Sequence, residues 1–157
     1  MKIAAAAAAL FLALFIGGFR ASPVAAAAQL SNCPNTGLTT RPVTFVTVKG
    51  RFAYTLEVAA TPTQQQCGLM HRRAMPRRVG MDFPMDAPRT ASFWMENTPL
   101  PLDLIFVGAD ARVVGIGKGV PFSRDLIHSG GIAARVIELN AGEADRMHLR
   151  VGDRAIG

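Results

Sequence analysis

The chain has few of the features that announce a chemistry. It carries two cysteines, Cys33 and Cys67, and no Cys-x-x-Cys, so a dithiol redox motif is missing. No glycine-rich phosphate loop is present, and no Gly-x-Ser-x-Gly elbow marks a serine nucleophile. Ser129 stands beside His128, but neighbours in an extended chain point apart, which argues against a nucleophile–base pair. Strand and helix patterns do not alternate regularly, so a doubly wound parallel sheet is disfavoured. After residue 41 there is no repeat and no low-complexity segment. The one long apolar stretch, near the N-terminus, is broken by Gly17, Gly18 and Arg20, which makes it a poor permanent membrane span.

That stretch reads instead as an export signal. A charged start at Lys2, an apolar run to Phe19 and the small residues Ala25–Ala28 fit a signal peptide over residues 1–28, cleaved after Ala28. Asn32 before Cys33 does not suit lipidation of that cysteine. A periplasmic or secreted protein follows. Loss of Lys2 and Arg20 turns 17 basic residues into 15, against 11 acidic, a net charge of about +4. Such mild positive charge favours anionic surfaces or ligands without naming one. In an oxidising compartment Cys33 and Cys67 are expected to pair, with roughly 3–4 kcal/mol of stabilisation from loop closure. A reactive thiol at Cys67 is the alternative.

Residues 29–41 are polar, with Pro34 and Gly37, and read as a flexible arm; 42–157 form one domain. The β-branched run 42–49, Gly50 and the alternating run 52–59 predict a hairpin. Thr61-Pro62-Thr63-Gln64 combines a cap, a proline at the first helical position and a capping-box glutamine, so a helix starts there and is expected to reach 71–73. Residues 74–90, with Pro76, Gly80, Pro84 and Pro88, read as a long irregular loop. Strands are expected over 90–97, 101–107, 112–118 and 134–140, and a second helix over 142–149. The expected fold is α+β: one curved, mostly antiparallel sheet or half-barrel with two short helices.

Several spaced blocks carry a resemblance to a known family. They are Thr61-Pro62, Gly68-Leu69-Met70 with Arg72, Gly80-Met81 with Phe83, Trp94-Met95 with Asn97-Thr98, Pro101-Leu102-Asp103, and Glu138-Leu139 with Gly142. In that order they resemble the domain of unknown function 192, over roughly residues 42–155. The resemblance implies a small exported or cytosolic α+β domain and supplies no reaction. Cys67 and His71 stand where that family's pattern varies.

The stretch FWMENTPLPLDLIF (93–106) poses the sharpest question, because Asp103 lies inside an apolar strand. Alternation puts Leu100, Leu102, Leu104 and Phe106 on one face, and Asp103 with Ile105 and Val107 on the other. A buried carboxylate without partners costs several kcal/mol. Asp103 is therefore at an exposed strand start, held by an arginine or backbone N–H groups, or carried as the neutral acid. Pairing with Arg72, or capping of the 97–99 loop, is the expectation. In the bland reading Asn97 and Asp103 satisfy turn amides. In the functional one, Trp94 floors a cleft on which Met70, Arg72, Asn97, Thr98, Asp103 and Glu138 converge, taking a small polar or anionic envelope ligand. The competing function is an envelope hydrolase using Asp103 with Glu138 as a carboxylate pair. The methionines Met70, Met75, Met81, Met85 and Met95, with His71, could suit Cu(I) but more simply fill core gaps. The expectation is no metal and no cofactor. The basic run 71–78 lacks interleaved aromatics, so nucleic acid is disfavoured as a partner. The sequence is silent on oligomeric state.

Overall fold

In this computed structural model the described residues are Cys33 and 35–157. The expected signal peptide lies outside them. The first hairpin pairs β1 (Thr40–Thr47) with β2 (Gly50–Val58), Thr47 facing Gly50. Alternation buries Val43 and Phe45 from one strand, and Tyr54 and Leu56 from the other. Helix α1 (Pro62–Cys67) opens with the capping box expected from the sequence: Thr61 accepts the Gln64 N–H, and the Gln64 side chain accepts the Thr61 N–H. It ends at Cys67, short of 71–73, because Gly68 takes a left-handed φ of 47° and its N–H closes on the Gln64 carbonyl.

The next element departs from expectation. Val79–Arg89 is strand β3, an internal strand of the sheet, where a loop was expected. Its prolines misled, and the pairing explains how they are tolerated. β2 pairs only with Val79–Asp82, so Pro84 owes no hydrogen bond on that side, and the register against the other neighbour shifts between Pro84 and Arg89. Gly80 is required by close approach: a Cβ there would lie 2.4 Å from the Glu138 carbonyl oxygen. The expected strand at 90–97 shrinks to β4 (Ser92–Phe93).

β5 (Leu102–Val107), β6 (Val113–Gly119), β8 (Ala133–Asn140) and helix α2 (Glu143–Met147) follow the sequence closely, whereas the two-residue β7 (Ile127–His128) and β9 (Arg154–Ile156) were not expected from it. Seven strands form a mixed sheet in the order β6-β5-β8-β3-β2-β1-β9, antiparallel except for β2–β3, whose crossover contains α1. β4 and β7 make a separate small ribbon. The large sheet is open but curled; one isolated bridge, Arg112 to Arg154, spans its two edges.

Both faces of the central strands are buried, which is why every residue of β5 is inaccessible. The inner core gathers Phe45, Leu56, Ile105, Ile137 and Met147 of α2. The outer core gathers Leu69, Met81, Phe83, Met95, Leu104 and Phe106 beneath α1 and the 90–100 segment. Met75, Met81 and Met95 are packed there, as the gap-filling reading expects.

Candidate functional site

The outer face of β8 carries the decisive residue. Glu138 lies directly opposite Leu104 of β5 and Met81 of β3, so its side chain shares their face. It is 5 % exposed. Burial alone pushes its carboxyl up to about 8, and among the described residues no donor or cation reaches it. A carboxyl buried without a partner is costly unless it holds its proton.

Glu138 opens into a cleft of about 340 Å³. The end of α1 and its turn supply one wall, with Gln65, Gln66 and Met70. Phe83 of β3 and Phe93 of β4 supply aromatic surface, their rings edge-to-face at 5.4 Å. The segment Trp94–Thr98 completes it. Trp94 is half exposed, so it stands at the mouth and not on the floor.

Local bonds fix this wall. Asn97 takes a left-handed φ of 57°, which asparagine tolerates better than most residues. Its carbonyl accepts the His71 N–H at 2.8 Å, and the Thr98 carbonyl accepts the Phe122 N–H at 3.1 Å. The Met95 N–H donates to the Ser123 carbonyl at 2.9 Å. A Cys33–Cys67 disulfide closes the α1 side, as expected from the cysteine pair. Asn35 adds bonds to the Gln64 and Gly68 carbonyls at 2.8 and 3.0 Å.

Of the residues singled out in the sequence, Met70, Trp94, Asn97, Thr98 and Glu138 line this cleft. Asp103 and Arg72 do not. Asp103 pairs neither with Arg72 nor with the 97–99 loop. On the inner face it accepts the Ala144 N–H at 2.8 Å and meets Lys118 at 3.0 Å. The option of backbone N–H groups was therefore the right one, but the donor lies 41 residues downstream in α2. Arg72 is engaged elsewhere, by Glu57 at 2.5 Å and the Asn35 carbonyl at 2.6 Å. The proposed carboxylate pair also fails. Asp103 faces Leu139 and Leu104 faces Glu138, so the two acids are backbone neighbours on opposite faces of the sheet.

Sequence reasoning missed Gln65, Gln66, Phe83, Ser92, Phe93 and Glu96. It also missed a pair formed across the β4–β7 ribbon, Ser92 Oγ with His128 Nδ1 at 2.8 Å. Ser129, by contrast, is structural: it accepts the Ala91 N–H and donates to the Gly131 carbonyl. The one signal that could have found the site is the acid at the centre of the apolar run Val136–Leu139. Among the described residues no group of three or more His, Cys, Asp or Glu side chains is arranged to hold a metal ion.

The sequence profile of the DUF192 family, described as "Uncharacterized ACR", matches residues 44–156. A crystal structure of a protein of unknown function from Novosphingobium aromaticivorans is 38% identical, with a TM-score of 0.75, covering 80% of this chain and 90% of its own. One from Sinorhizobium meliloti, named a candidate transcription regulator, is 36% identical with a TM-score of 0.75, covering 79% of this chain and 98% of its own. No curated protein matches the chain.

Proposed function

The chain belongs to the DUF192 family, and we propose that its fold serves as a binding or accessory module, holding a small polar ligand in the cleft between α1 and Trp94. One observation carries this reading: a buried acid, Glu138, with no partner among the described residues, lining an aromatic-walled cleft. Buried polar groups are normally hydrogen-bonded within the protein. An acid left open toward a cleft of ligand size supports a role in contacting something that enters. Asn97, Thr98 and the glutamines supply the few polar groups that would orient it.

Among the described residues the cleft's ionisable lining consists of Glu96 and Glu138, with no lysine, arginine or histidine. That argues against the anionic ligand suggested by net charge alone. The hydrolase alternative loses its support with the carboxylate pair. Export to the periplasm or beyond belongs to the same proposal. It draws on the N-terminal sequence and on the Cys33–Cys67 bridge. Among the described residues no helix is long and apolar enough to cross a membrane.

Trp94 is the chain's one tryptophan, so its emission reports directly on the cleft. A panel of small neutral, cationic and anionic compounds should contain a class that shifts this emission saturably. Gln66→Tyr should weaken the effect by crowding the cleft, since Gln66 is exposed and its side chain makes no hydrogen bond among the described residues. Emission indifferent to every class would refute the reading.

A further inference from the structure

We propose that the ligand carries a small organic ammonium group, with Glu138 as its counter-ion and the aromatic lining as its cation-binding face. This rests on the reading of the cleft as a binding site and deepens it. Three observations converge. The carboxyl of Glu138 is more than nine-tenths buried, unpartnered among the described residues and open to the cleft. Aromatic surface from Phe83, Phe93 and Trp94 lines the same cleft, and ring faces attract organic cations. Among the described residues no basic side chain lines it, so none of them competes for the acid or welcomes an anion.

The charges on neighbouring elements leave this arrangement intact. Glu96 is paired with Arg124. Asp103 of β5 lies on the other face with Lys118, and Asp82 of β3 is on that inner face with Arg41 and Arg135. Arg72, beyond the turn after α1, is taken by Glu57. Glu138 is thus the group whose charge changes when a cation enters. The acid gives up its proton to solvent, the ammonium keeps its own, and a neutral acid becomes one arm of an ion pair. Binding of a cation therefore releases a proton, whereas binding of a neutral molecule does not.

The test uses three probes of similar size, benzylammonium, benzyl alcohol and benzoate, titrated into the mature protein with Trp94 emission as the readout. Benzylammonium should bind at least tenfold tighter than either analogue at neutral pH. Its affinity should rise by roughly tenfold per pH unit as pH approaches the pKa of Glu138, while that of benzyl alcohol stays flat. Glu138→Gln should bring benzylammonium and benzyl alcohol to within about threefold of each other. If that variant fails to fold, the wild-type pH profile decides alone. Benzyl alcohol or benzoate binding as tightly as benzylammonium would overturn the ammonium assignment and leave the binding site standing. Trp94 unmoved by all three would remove both.

Discussion

Replacing Glu138 with glutamine should make this protein more stable, and by an amount that depends on pH. In the unfolded chain the carboxyl titrates near 4.5; in the fold burial holds it near 8. Below 4.5 both states keep the proton and the carboxyl contributes nothing to pH dependence. Between 4.5 and about 8 the unfolded chain gives up its proton while the fold retains it, so stability falls as pH rises. Above 8 the fold holds a buried charge and the loss levels off. At 1.36 kcal/mol for each tenfold change in acidity the full span corresponds to about 5 kcal/mol, and water entering the cleft will reduce it to about 3. Glutamine has no proton to lose. The difference between Glu138→Gln and wild type should therefore grow by about 3 kcal/mol from acid to alkaline pH, or roughly 10 °C in Tm for a domain of this size. Urea unfolding followed across that range measures it, and other titrating groups cancel in the comparison. A difference that stays flat with pH would show that Glu138 is solvated or partnered, and the argument for the cleft would lose its main support.

Three further outcomes follow from the geometry. Asp103→Ala strips the Ala144 N–H of its acceptor and should cost about 2–3 kcal/mol, whereas Asp103→Asn keeps an oxygen there and should cost less than half as much; chemical denaturation of both variants distinguishes this from a site role. The double variant Cys33→Ser/Cys67→Ser, or reduction of the wild type, should remove about 3–4 kcal/mol, read as a fall in Tm that added reductant does not deepen in the variant. Gly80→Ala drives a methyl group against the Glu138 carbonyl oxygen, a backbone atom that cannot step aside, and should cost more than about 2 kcal/mol in urea unfolding; a neutral substitution would mean that β3 and β8 are less tightly apposed than described.

Local signals were legible wherever a residue's role is settled by its immediate neighbours. Thr61, Pro62 and Gln64 specify the start of α1 because the capping box closes within four residues. The apolar run 102–107 specifies β5, and Cys33 with Cys67 specify their bridge because no other cysteine competes. β3 was illegible because Pro84 and Pro88 forbid a strand only if both of its sides need ladder bonds, and which sides do is a property of the sheet. The partner of Asp103 was hidden for a similar reason: Ala144 offers only a backbone N–H, which every residue but proline possesses.

The sequence by itself therefore determined the first hairpin, the starts of both helices, strands β5, β6 and β8, the disulfide and the presence of acids at 103 and 138. Only the tertiary structure decided what those acids do. Adjacent strands pair Asp103 with Leu139 and Leu104 with Glu138, and side chains alternate across a strand, so a one-residue offset in register sends the two carboxyls to opposite sides of the sheet. On the inner side α2 and Lys118 meet Asp103; on the outer side nothing described meets Glu138, and its environment is a cleft. Register is set by the packing of whole faces, which no short window of sequence contains.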